Sequence, residues 1–166
     1  MLFGGCRSGI VTSFEKRGSI TRCGSTETAV AAVTPRVRTI AICDEVVASD
    51  TEEGVFTLEG VRQRITAESF PCRAELSLFM ILTNPRSGRY DGKVLIVNER
   101  SDRRVRYSKF TVAFDENNEI LPAYVELGGC SFPEAGLYNF EIYFTAPADG
   151  EALKGEHPFI VVSRED

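Results

Sequence analysis

Tryptophan is absent from the 166 residues, histidine occurs once, and the apolar runs are all short. None approaches the roughly 18 consecutive apolar residues of a membrane-spanning helix, so no such helix is expected. The five cysteines are Cys6, Cys23, Cys43, Cys72 and Cys130, and no two stand at C-x-x-C spacing. The usual local signal of a structural zinc site or a redox pair is therefore missing. The cysteines are also too few and too scattered for a disulfide scaffold, and they read as reduced thiols of a cytoplasmic protein. A secretory signal needs a continuous apolar core close to the N-terminus. The nearest match, residues 29–33, lies well down the chain behind polar residues.

What is present is ordinary for a soluble globular chain: 43% apolar and 26% charged residues. The length argues one domain. The net charge of -5 conceals an asymmetry. Residues 1–39 carry six basic side chains (Arg7, Lys16, Arg17, Arg22, Arg36, Arg38) against Glu15 and Glu27, whereas the rest carries 13 basic and 22 acidic side chains. An acidic body repels a phosphate backbone, so nucleic acid is not an expected partner. The first 38 residues hold Gly-Gly, Ser-Gly and Gly-Ser pairs and no sustained apolar period. Such a stretch buries too little apolar surface to offset its ordering entropy. Residues 1–38 are expected to be a disordered or over-extended tail, and 39–166 the folded domain.

From residue 39 the pattern changes to short β-rich runs divided by turn residues. The runs are 39–47, 55–61, 75–83, 93–98, 105–114, a short one around 123–127, 137–144 and 159–162. Residues 75–83 are nearly all apolar and end at Asn84-Pro85-Arg86-Ser87-Gly88, which marks a central strand closed by a turn. Phe110, Val112 and Phe114 alternate with polar or small residues, as do Tyr138, Phe140, Ile142 and Phe144, which is the period of a half-buried strand. Gly60, inside an otherwise strand-like run, signals a bulge or a close backbone approach. Seven to eight short strands at such spacing predict an all-β domain, an antiparallel two-sheet β-sandwich of immunoglobulin-like type.

Three segments carry a family resemblance: Ala41-Ile42-Cys43-Asp44-Glu45-Val46, Thr57-Leu58-Glu59-Gly60-Val61, and the run from Phe132-Pro133-Glu134-Ala135-Gly136-Leu137-Tyr138 to Ile142. Together they resemble a bacterial family of small, uncharacterised β-sandwich proteins, over about residues 39–163. The resemblance implies the fold and a bacterial, cytoplasmic setting. It implies no activity.

Few residues carry chemistry. His157 stands beside Pro158 with no G-x-S-x-G or comparable nucleophile motif in the chain, so it reads as a loop histidine rather than a general base. Asp115, Asn117 and Glu119 have a spacing that could point oxygens at calcium, but Leu121 and Pro122 follow where an EF-hand loop would continue. An ordinary hairpin turn is the simpler reading; the acidic loop of Asp50, Glu52 and Glu53 reads the same way. One position stands out. Asp44 shares a strand face with Ile40, Ile42 and Val46, and Glu45 shares the other with Ala41, Cys43 and Val47. If both faces are partly buried, a carboxylate there needs a partner, and Arg62 and Arg64 are the candidates. Asp44, Glu45, Arg62 and Arg64 therefore form the one candidate polar site, with a structural ion pair as its simplest use.

No catalytic, cofactor or metal residue is assigned. The expected function is a non-enzymatic protein-interaction or scaffold module with a protein partner. The alternative is a small-ligand or carbohydrate-binding sandwich using Tyr90, Tyr107, Tyr124 or Tyr143 as stacking faces, and an enzyme comes third. The oligomeric state is left open.

Overall fold

A computed structural model describes residues 33–84, 86–146 and 150–164. Among these there is no helix, and ten strands account for most of the chain: β1 (Arg36–Cys43), β2 (Glu45–Ala48), β3 (Phe56–Glu59), β4 (Arg64–Ala67), β5 (Cys72–Thr83), β6 (Gly88–Asn98), β7 (Arg103–Phe114), β8 (Ile120–Phe132), β9 (Gly136–Ala146) and β10 (Gly150–Ser163). They form a three-stranded sheet in the order β1-β5-β8, a five-stranded sheet in the order β4-β10-β9-β6-β7, and a separate hairpin of β2 and β3. The all-β expectation holds. The tail assigned to residues 1–38, with Cys6 and Cys23, lies largely outside the described residues; β1 itself begins at Arg36.

One contiguous core draws on both larger sheets. The three-stranded sheet contributes Leu76, Leu78, Met80 and Val125, and the five-stranded sheet contributes Val94, Ile96, Phe140 and Ile142. Tyr138, Phe140, Ile142 and Phe144 are all fully buried, as their alternation predicts. Tyr138 carries a hydroxyl into this interior and satisfies it by donating to the Glu134 carbonyl at 2.8 Å, since a buried O–H without an acceptor is costly. Its ring lies 5.1 Å from Phe132 and 5.8 Å from Phe159. Where β10 passes β1, Gly155 leaves room for Val37: a Cβ on Gly155 would stand 2.9 Å from that of Val37.

β5 is central, with β1 on one side and β8 on the other. Its near-continuous apolar run has a reason. Leu76, Leu78, Met80 and Leu82 enter the core, while the alternate Phe79 is also buried, 5.6 Å from Phe56 of the hairpin. Both faces of the strand are covered, so both must be apolar.

Several expectations need correction. The run 39–47 is not one strand but breaks at Asp44. The described residues form ten strands rather than seven or eight, and the β4–β10 pairing is parallel. β8 and β10 run 13 and 14 residues where the sequence marked about five and four. His157 consequently lies within β10, opposite Phe140, and not in a loop. Cys72 after Phe70-Pro71 and Cys130 after Gly128-Gly129 read from the sequence as loop residues, but Cys72 opens β5 and Cys130 lies in β8. The turn between β7 and β8 matches its reading: Asn118 N–H donates to the Asp115 carbonyl at 3.3 Å, and the Asn118 side chain accepts from Ile120 N–H at 3.1 Å.

Candidate functional site at the hairpin corner

The break at Asp44 turns the chain out of the three-stranded sheet and into the β2–β3 hairpin. Every polar group of this residue is committed to holding that corner. Its backbone N–H donates to the Glu59 carbonyl at 2.9 Å. Its carbonyl accepts from the Ser77 hydroxyl at 3.3 Å. Its carboxylate pairs with the Arg62 guanidinium, and Arg62 N–H donates to the Ile42 carbonyl at 2.9 Å. Gly60, with φ +64°, completes the arrangement: a Cβ there would fall 2.7 Å from Asp44 Cγ and 3.1 Å from Asp44 Cβ. The close approach that Gly60 signals is thus the approach of the Asp44 side chain.

The predicted polar site is therefore assembled in part. Asp44 and Arg62 meet, and they meet near solvent, with side chains 47% and 34% exposed. An exposed pair of this kind contributes at most about 1 kcal/mol. Glu45 does not join them. It is exposed and directly opposite Glu59 across the hairpin, a like-charge pairing that weakens the ladder slightly. Arg64 does not join them either. Between Arg62 and Arg64 the chain crosses from one sheet to the other: Ile160 N–H donates to the Gln63 carbonyl at 3.0 Å, and Arg64 sits opposite Ile160 in the five-stranded sheet. Arg62 and Arg64 are two residues apart and would share a face of a continuous strand, but the crossing separates them.

Sequence reasoning missed what the corner supports. The hairpin folds over the outer side of the three-stranded sheet, seating Phe56 5.6 Å from Phe79 and 6.3 Å from Tyr124. Burial under this cover, with Glu126 nearby, pushes the Tyr124 hydroxyl above its ordinary pKa. The only sequence signal was the coincidence of an apolar second face on β5 with a short apolar hairpin.

The described thiols are set against reactivity. Burial raises the pKa of Cys43, with Asp44 adding to the effect, and raises that of Cys72. Cys130 is pushed up to about 11, chiefly by burial. Cys130 lies opposite Ala74 and Cys72 opposite Phe132, and the three described cysteines are free thiols. Burial lowers the His157 pKa. Among the described residues no group of three or more His, Cys, Asp or Glu is placed to hold a metal ion.

The four tyrosines considered as stacking faces differ in access. Tyr124 is under the hairpin, Tyr90 meets Phe114 edge-on at 6.0 Å, and one face of Tyr143 is taken by Lys93 Nζ, 4.8 Å from the ring centre. Tyr107 is 46% exposed.

Comparison with known proteins adds a family and little else. A family of unknown function (DUF6941) matches residues 38–161, and the chain belongs to that family. No curated protein matches it. Among solved structures, a glycosyl hydrolase family 2 member from Bacteroides cellulosilyticus aligns with TM-score 0.40 and 17% identity over 54% of this chain, which spans 13% of the hydrolase chain. The PmoD soluble domain from a Methylocystis species aligns with TM-score 0.39 and 11% identity, over 76% of this chain and 96% of that one.

Proposed function

We propose that this member of the family is a non-enzymatic protein-interaction module of a bacterial cytoplasm, and that the β2–β3 hairpin is the surface it presents. The fold beneath it is taken as a two-sheet, immunoglobulin-like sandwich. The Tyr138–Glu134 bond supports that finer reading, because a buried tyrosine bonded to backbone a few residues upstream is the corner device of such sandwiches.

The observation that carries the proposal is the exposure of Val47, Val55 and Val61, at 42%, 43% and 60%, along the hairpin and its exit. Single exposed apolar side chains are common on any surface, and three on one small element support the reading. The charge around these valines suits one kind of partner. Residues 44–62 carry Asp44, Glu45, Asp50, Glu52, Glu53 and Glu59 against Arg62 as the one basic residue. Exposed valines interspersed with carboxylates, the Glu45–Glu59 pair lying between Val47 and Val61, fit a protein that offers apolar contacts among Lys or Arg, and such charges govern association rate and salt dependence.

The test is affinity capture with the full chain and with the Val47→Ser/Val61→Ser double variant, after checking that both melt at the same temperature. The expected result is a stoichiometric protein on the parent bait, weakened by salt and lost from the variant. Equal capture by both baits, or capture by neither, overturns the proposal.

A further inference from the structure

The five-stranded sheet has an outer face of its own, and a groove of about 340 Å³ runs along it. Tyr107, Lys109 and Thr111 of β7 form one wall and Glu151 of β10 the other, with Asp91 and Lys93 of β6 between. The strand register explains the convergence: Asp91 lies opposite Thr111, Lys93 opposite Lys109, and Leu95 opposite Tyr107. These are alternate residues, so all point to one side of the sheet.

The groove holds two lysines and two carboxylates, but only one of each is paired with the other. Lys93 and Lys109 face each other directly, an arrangement that is unfavourable unless something neutralises it. Glu151 pairs with Lys93. Lys109 has no carboxylate within ion-pair distance among the described residues and is exposed. Asp91 is held by the Thr111 hydroxyl, which donates to Oδ1 at 2.8 Å, leaving its second oxygen to accept another bond. Tyr107 supplies an exposed ring at the same wall. A cation awaiting an anion, a fixed carboxylate that can accept a hydroxyl, and an open aromatic face are the groups that recognise a charged polyol. A wholly apolar ligand would leave these polar groups desolvated and unpaired. The volume lies at the lower end for small-molecule sites and suits one sugar ring.

We propose that this groove binds a single anionic sugar unit, its acid group on Lys109 beside Lys93, its ring on Tyr107 and one hydroxyl donating to Asp91. This site is on a different sheet from the hairpin and stands or falls independently of the interaction reading.

The experiment is titration of the 15N-labelled full chain with glucuronate, glucose 6-phosphate, glucose and inorganic phosphate. Saturable binding of one or both sugar acids is expected, with the amides around residues 91, 107 and 109 shifting; which acid binds more tightly identifies the anion as carboxylate or phosphate. Glucose alone and phosphate alone should each bind about tenfold more weakly, the loss of one charge-assisted contact. Lys109→Met and Tyr107→Ala, both at exposed positions, should weaken the sugar acids by a similar factor without lowering the melting temperature. The proposal is overturned by no saturable binding, by shifts confined to other surfaces, by glucose or phosphate matching the sugar acids, or by unchanged affinity in Lys109→Met.

Discussion

Replacing Gly60 with alanine tests whether the hairpin corner is held as described. Two costs are expected. At φ +64° an L-residue is strained, by roughly 1–2 kcal/mol. The new methyl would also sit 2.7 Å from Asp44 Cγ, forcing the carboxylate to swing away and give up Arg62. Because that pair is nearly half exposed, its loss is worth about 0.5–1 kcal/mol and not more. Gly60→Ala should therefore cost about 1.5–3 kcal/mol. Asp44→Ala removes the ion pair alone and should cost about 0.5–1 kcal/mol. In the double variant the ion pair can be lost only once, and the carboxylate is no longer in the way. Its cost should fall short of the sum of the two by about 0.5–1 kcal/mol, the coupling expected of residues in contact. Denaturant unfolding of the four proteins reads this directly. Strict additivity, or a Gly60→Ala variant as stable as the parent, would refute the account. So would a loss of several kcal/mol in Asp44→Asn, since that would require the carboxylate to be buried.

Three further outcomes follow from the packing and the titrations. Phe56→Ala should cost about 1–3 kcal/mol for a half-buried aromatic, with amide exchange quickening in residues 45–59 and not in the core strands; uniform quickening would mean that the hairpin is not a separate layer. In a variant with Cys6 and Cys23 changed to serine, native protein at pH 8 should resist thiol reagents until denatured, because Cys43, Cys72 and Cys130 all titrate above their ordinary value and stay protonated; labelling of Cys130 at the rate of a free peptide thiol would contradict its burial. The lowered His157 pKa means the unfolded chain takes up its proton first, so stability is present above pH ~6.5 and lost as pH falls through the folded value. His157→Gln should remove part of that acid-side decline in melting temperature, and an unchanged pH profile would show that His157 is not its source.

Local patterning carried the reading wherever a strand has one wet and one dry face. Residues 137–144 announce their buried side because only alternate positions meet the core, and 115–119 announce a turn because Asn and Asp bond their own backbone. Gly60 was legible too, as a place where a Cβ would intrude. What was not legible depends on which strands become neighbours. β10 extends through Gly155, His157 and Pro158 because β9 lies alongside to receive it, and backbone hydrogen bonds do not depend on side-chain type. β8 likewise continues past Leu127 through Gly128, Gly129 and Cys130 because β5 continues beside it. The candidate site divides in the same way. That Asp44 needs a partner could be read from an acid among apolar residues. That the partner is Arg62 and not Arg64 was decided by the crossing of the chain between two sheets at residues 62–64, and no periodicity within one strand can encode a change of sheet.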